Sequence, residues 1–291
     1  ELSLTLPKVT DCLREWHREL LLLVAERLEI THGEVASVPV RCRMSWGNAH
    51  EDVAIQQYMA HFPEAQVYKT GMWRWELGEH SLFGSPDGLD LNDPQLVYEV
   101  KCPFPYTIHD DHSFTYLPDR KPWFMIPHYV VFQVQANMAA TDRSICRVIS
   151  WTPSAFSVFD VKRCDSFLQD LGAWFVDLQN VLEQLEQHNR SCRGLEEMEW
   201  PTSLPDHPFE KDYDRYHRMV LSLRRISSQA NQTRRWFFNS LVMDSRGTEE
   251  APLIPEEEAL RILDEPAARD GDAASHPNRS SSSISGITES Q

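Results

Sequence analysis

The sequence lacks any CxxC pair, although it carries six cysteines (Cys12, Cys42, Cys102, Cys146, Cys164, Cys192) scattered through 291 residues. A zinc site needs clustered ligands, and a small secreted scaffold needs denser cysteine, so the thiols read as reduced residents of a reducing compartment. On that reading the Asn-x-Ser/Thr matches at Asn189, Asn231 and Asn278 are chance matches rather than glycan sites. No apolar run approaches the ~18–20 residues of a membrane helix, and the longest patch, residues 20–25, reads as one helix face. There is no internal repeat and no block of basic residues that would serve as a nuclear address. Positive charge is scarce: the net charge of -16 argues against a protein that coats nucleic acid by global attraction. It leaves room for a local basic groove and for an acidic metal site whose cation offsets the charge. The chain opens on Glu1 rather than Met, which leaves open a removed targeting segment.

What is present suffices for one sizeable core with an appendage, since 41% of the residues are hydrophobic. Helical spacing of Leu13, Trp16, Leu20, Leu23, Val24 and Leu28 predicts a helix over residues 11–29, and a second is predicted over 46–62. Strands are expected within 66–77 and at 81–83, then a tight turn at Ser85-Pro86-Asp87-Gly88, then an alternating strand over 96–101 stopped by Pro103. A loop with five prolines fills 103–127, and a helix follows over about 129–140. Strands are expected at 146–151 and 156–161, and a long amphipathic helix over 164–188. This order is an α/β layer pattern. Residues 1–195 read as one catalytic domain, 196–244 as a linker with a basic, mostly helical extension (helix 213–243), and 245–291 as a disordered acidic, Ser-rich tail.

One constellation carries chemistry. A metal-dependent phosphodiesterase needs carboxylates from different elements converging on Mg²⁺ or Mn²⁺, with a lysine to orient or activate water. Asp87 sits in the tight turn. Glu99 and Lys101 are two apart on the next strand and leave the same sheet face, while Val100 points into the opposite, buried layer. Taken alone the pattern is weak, because solvent-facing strands often carry Glu and Lys.

The surroundings make it specific. Trp46-Gly47-Asn48-Ala49-His50-Glu51, Gly84-Ser85-Pro86-Asp87-Gly88-Leu89, Tyr98-Glu99-Val100-Lys101-Cys102-Pro103-Phe104, Tyr129 with Gln133-Val134-Gln135, and the stretch 158–165 occur in order. Together they resemble the YqaJ viral recombinase family of PD-(D/E)XK nucleases, which is lambda exonuclease-like and related to viral alkaline exonucleases. The resemblance covers about residues 44–188. It implies a restriction-endonuclease-like core with a central mixed β-sheet flanked by helices. It implies that Asp87, Glu99 and Glu51 hold Mg²⁺ or Mn²⁺ with the Val100 carbonyl, that Lys101 positions or deprotonates water, and that Gln133 contacts Lys101 or the scissile phosphate. Ser85 and Tyr129 are implied to touch nucleic acid. The family's N-terminal clamp for a 5′-phosphate is half kept: Arg27 and Thr31 are spaced correctly, the following serine is missing, and Arg41 or Arg43 are substitutes.

Three other features have plainer readings. His109, Asp110, Asp111 and His112 read as a solvated loop rather than a metal cluster. Residues 215–238 hold six arginines, no acid and a terminal Trp236-Phe237-Phe238, which suits either a strand-tracking groove or a solvated helix face. Trp73, Trp75 and Trp123 are candidates for base stacking at the site rim. The resemblance implies a DNA exonuclease at duplex ends, leaving a single strand for an annealing partner, with a homotrimer known among relatives. The alternatives are an endonuclease or RNase of host-shutoff type on the same fold, or an inactive nucleic-acid-binding adaptor. An intracellular place is expected, nuclear if the source is a eukaryote or its virus.

Overall fold

A computed structural model of the protein describes residues 9–30, 37–109, 113–204 and 212–239. The expectations for Thr31, for residues 110–112 and for the tail 245–291 lie outside the described residues.

Helix α1 (Val9–Arg27) is followed by α2 (Val38–His61), the short strand β1 (Val67–Tyr68) and a hairpin of β2 (Trp73–Leu77) and β3 (His80–Gly84). Strands β4 (Gly88–Asp90) and β5 (Leu96–Lys101) come next, then a second hairpin, β6 (Tyr106–Ile108) with β7 (Phe114–Tyr116). Helix α3 (His128–Thr141) leads to β8 (Ile145–Thr152), β9 (Ala155–Lys162), α4 (Asp165–Asn189), α5 (Tyr213–Gln232) and β10 (Arg235–Phe238). The central sheet has the order β1-β4-β5-β8-β9-β10, and it is mixed: β5 and β8 run parallel while every other pair is antiparallel. The parallel pair requires a crossover, which α3 supplies. The expected fold class, a mixed sheet between helices, is what the chain adopts.

Alternation along β5 sorts two cores onto two faces. Val97 packs with α3, α4 and α5 through Val134, Met138, Leu171 and Ile226. Leu96, Tyr98 and Val100 pack on the other face with Cys42, Trp46 and Tyr58 of α2. Helix α1 forms a third cluster with Leu182 and Leu185 of α4. No helix among the described residues is long and apolar enough to cross a membrane.

Three local expectations are corrected. Helix α2 starts at Val38 rather than near Trp46, with a proline in its first turn, where a missing N–H costs nothing. Its buried ridge steps by four through Cys42, Trp46, His50, Ala54 and Tyr58, and the polar residues between them hide it from a hydrophobic count. The loop 103–127 contains the β6–β7 hairpin, built on the alternation of Tyr106 with Ile108 and of Phe114 with Tyr116. The helix expected over 213–243 ends at Gln232; the chain then joins the sheet as β10, with Phe237 stacked on Phe156 at 5.0 Å.

Candidate active site

The turn that presents Asp87 is tight for a reason of space. A Cβ on Gly88 would meet the Val67 Cγ1 at 2.4 Å, so only glycine lets β1 close against the start of β4. Asp87 donates its own amide to the Tyr98 carbonyl at 3.1 Å, and its Oδ2 accepts the Val100 amide at 2.6 Å. Two bonds to β5 thus fix the carboxylate beside Glu99. Glu99 is 1% exposed and divides its oxygens: Oε1 accepts Lys101 Nζ at 2.5 Å and Oε2 accepts Asn137 Nδ2 at 2.9 Å. Glu51, half-buried on α2, completes the group and feels the Asp87 charge most among its charged neighbours.

Burial and mutual repulsion set the electrostatics. Glu99 is pushed up to about 8 by burial first and then by Asp87, against the opposing pull of Lys101. Asp87 is also raised, by burial, with the Val100 amide and Lys101 working against it. Glu51 is raised by burial and by Asp87. Burial would lower Lys101, but the charges of Glu99, Asp87 and Glu51 outweigh it and raise its pKa. Three carboxylates held together at such a penalty are what a cation relieves. Among the described residues no three His, Cys, Asp or Glu side chains close into a ready-made metal cage. The donor set instead suits Mg²⁺, which takes one or two carboxylates and keeps several waters.

Beside Lys101 opens a cavity of about 530 Å³, lined among others by Arg43, Arg120, Trp123 and Tyr129. Arg43 and Tyr129, both read as touching nucleic acid, are therefore neighbours of Lys101. Arg27, exposed at the end of α1, half-buried Arg41 and exposed Ser85 do not line this cavity. Gln133 is exposed on α3, one turn before Asn137 on the same helix face, and the helix reaches Glu99 through Asn137.

Three residues escaped the sequence reading. Asn137 had one signal, its i+4 spacing from Gln133. Arg120 lies in the proline-rich loop and had none. Lys69 follows edge strand β1, pairs with Asp52 at 2.7 Å, and influences Glu51 more than Lys101 does. Both lysines thus bear on Glu51 and Asp87. The basic extension is corrected in part as a groove: Arg215 pairs with Asp177 and Asp212, Arg218 with Asp170, and Arg235 with Asp160, so these cations bind α5 and β10 to the core.

Residues 11–144 match the family model of the YqaJ-like viral recombinase domain. Over those residues the chain is similar to the YqaJ-like viral recombinase domain. The matched span contains Glu51, Asp87, Glu99, Lys101 and Asn137, and takes in α2, α3 and the strands between them. Two solved structures of LHK-Exo, an alkaline exonuclease from Laribacter hongkongensis, are similar to the chain. One shares 18% identity over 59% of this chain and 84% of that chain, with a TM-score of 0.39. The other, in complex with dAMP, shares 20% identity over the same shares, with a TM-score of 0.41. No curated protein matches the chain.

Proposed function

We propose that this recombinase-family chain is a metal-dependent nuclease that hydrolyses DNA phosphodiester bonds, working from duplex ends in recombination or replication processing. The observation that carries the reading is the Asp87–Glu99–Lys101 group, built around the buried Glu99, with Glu51 alongside and a cavity lined by Arg43 and Arg120 beside Lys101. Asp87, Glu99 and Glu51 would hold Mg²⁺ or Mn²⁺, together with the Val100 carbonyl. Bound there, the cation supplies positive charge to the phosphoryl oxygen and a water of lowered pKa.

The chain's own side chains do the rest. Lys101 Nζ is anchored on Glu99 Oε1 and stays protonated, so it orients the attacking water and offsets negative charge gathering on the phosphorus oxygens. Asn137 keeps the other Glu99 oxygen fixed, so the carboxylate does not rotate as Lys101 moves. Arg43 is placed to hold a phosphate in the cavity beside Lys101.

The test compares a 5′-phosphorylated linear duplex, a nicked circle and a structured RNA, with Mg²⁺ and with EDTA. The linear duplex is expected to be cut fastest, only with the cation, and not by Lys101→Ala. Unchanged cleavage by Lys101→Ala sinks the nuclease reading. Faster cutting of the circle or the RNA moves the chain to the endonuclease or RNase reading, which the separation of Arg27 from the Lys101 cavity favours.

A further inference from the structure

The loop between the proline-rich stretch and α3 combines two properties that seldom occur together. Five of the eight backbone polar groups of residues 123–126 are held by hydrogen bonds, yet its tip presents large apolar side chains to water. The Trp123 amide donates to Ser150 Oγ at 3.0 Å, and Ser157 Oγ donates to the Trp123 carbonyl at 2.8 Å. The Phe124 carbonyl accepts Arg234 Nη1 at 2.9 Å. The Ile126 amide donates to Asn231 Oδ1 at 2.9 Å, and Ser227 Oγ donates to the Ile126 carbonyl at 3.2 Å. These anchors come from β8, β9 and the α5–β10 segment. Ser150 stands opposite Lys101 in the β5–β8 pairing, so the loop hangs from the strand position beside the site.

On this rigid support Phe124 is 67% exposed and Met125 59%. A loop exposed by accident would be loosely held; this one is fixed while its apolar tip faces solvent. The Arg234 guanidinium lies over the Phe124 ring, 3.6 Å from its centroid, and backs one face of the phenyl group. Trp123 and Tyr129, from the same loop and the start of α3, line the Lys101 cavity with Arg43 and Arg120.

Charge says what the surface takes. In a chain of net charge -16, the arginines of α5 and β10 at 215, 218 and 235 are paired with acids. Among the described residues no carboxylate is within ion-pair reach of Arg43, Arg120, Lys121 or Arg234. Cations with no acid in reach among the described residues, beside an exposed, arginine-backed aromatic ring, fit a ligand with negative charge at regular intervals and flat apolar faces between. A single strand of nucleic acid is that ligand.

We propose that residues 123–126, clamped by the C-terminal segment, form a stacking platform for unpaired bases of a nucleic-acid strand at the mouth of the Lys101 cavity. Phe124, backed by Arg234, takes the base; Arg120 and Arg43 take the phosphates leading inward. This rests on the nuclease reading above, and it gives the α5–β10 segment a task, which is to hold the platform in place.

The test uses the full chain in EDTA, so that binding is read without cleavage, and two duplexes carrying 2-aminopurine. One has the probe in a short single-stranded overhang, the other in a blunt terminal pair. Wild-type protein is expected to change the overhang probe's fluorescence on binding. Phe124→Ala should bind the overhang about tenfold more weakly, the loss expected from one base–aromatic stack, with the blunt duplex within about twofold. Phe124→Trp should restore the overhang, and Arg234→Ala should fall between. Because Phe124 is exposed, the melting temperature should not move. Overhang binding by Phe124→Ala within about twofold of wild type, with the probe response intact, overturns the platform. So does a change in sedimentation with nucleic-acid binding unchanged, which would make the tip a contact between copies. If wild type neither binds in EDTA nor cuts once Mg²⁺ is supplied, the nuclease reading falls; if it does both and Phe124→Ala matches it in each, only the platform falls.

Discussion

Asn137 offers the sharpest test of how the site is held. It is 2% exposed and gives Glu99 one of the two donors that keep its carboxylate in place. A hydrogen bond to a charged group contributes about 1.5–3 kcal/mol, and this one is made to the ionised form. Glu99 titrates at about 8 in the folded chain and at the ordinary carboxylate value of 4.5 when unfolded. Folding therefore binds its proton more tightly, and metal-free stability falls as pH rises from the ordinary range through the folded value. Asn137→Ala removes a donor from the charged form, so it pushes Glu99 higher still and deepens the loss on the alkaline side. The expected result is an extra destabilisation of about 1.5–3 kcal/mol above the folded value, with a smaller effect in acid. Asn137→Asp, which sets carboxylate against carboxylate, should be worse than Ala at alkaline pH. Thermal unfolding in EDTA across the acid-to-alkaline range reads this directly. An equal drop in melting temperature at every pH would show that Asn137 contributes packing alone, and the electrostatic argument would fail.

Three further outcomes follow from the same geometry. Gly84→Ala would put a Cβ 2.6 Å from Asn137 Oδ1 and 3.3 Å from the Asn137 Cα, so its melts should reproduce the Asn137→Ala pH signature. Mg²⁺ should raise the melting temperature, by ~2.7 kcal/mol of stability at a hundredfold excess over Kd, and Asp87→Ala should abolish that gain in calorimetry. Asp90 is 4% exposed; burial pushes its carboxyl up, but the Tyr98 hydroxyl and the Asn92 and Asp93 amides outweigh burial and hold it below the ordinary carboxylate range. Its contribution is present above that range and lost as pH falls through the folded value, so Asp90→Asn should weaken the protein by about 1–3 kcal/mol at neutral pH and flatten the acid limb of its stability curve.

The legible parts of this fold were the local ones. Strand β5 could be read because its alternation is strict and Pro103 ends it, and that alternation placed Glu99 and Lys101 on one face. Asp87 was readable because Ser-Pro-Asp-Gly is turn chemistry. What escaped depends on partners far along the chain. Asn137 is an unremarkable helix asparagine until α3 crosses over β5. Lys69 gains its place only when β1 pairs with β4. Strand β10 follows a basic helix without a breaker, and only the exposed edge of β9 turns Arg235–Phe238 into a strand, because strand formation depends on the neighbour it packs against. Helix α2 was read short because its first two turns bury Cys42 alone while Val40 and Met44 face solvent, so no apolar stripe marks them.

The position of β10 also has a consequence for how the molecule is made. Domains assemble from the N-terminus as they are synthesised. The turn aspartate, β5 and its lysine all emerge well before α5 and β10. Until they arrive, the outer edge of β9 has no partner, the core face that packs on α5 is uncovered, and the loop at 123–126 lacks Ser227, Asn231 and Arg234. The last strand closes that edge and fixes the loop in one step. Completion of the sheet and readiness of the cavity mouth are thus a single event, timed by the arrival of the C-terminal segment.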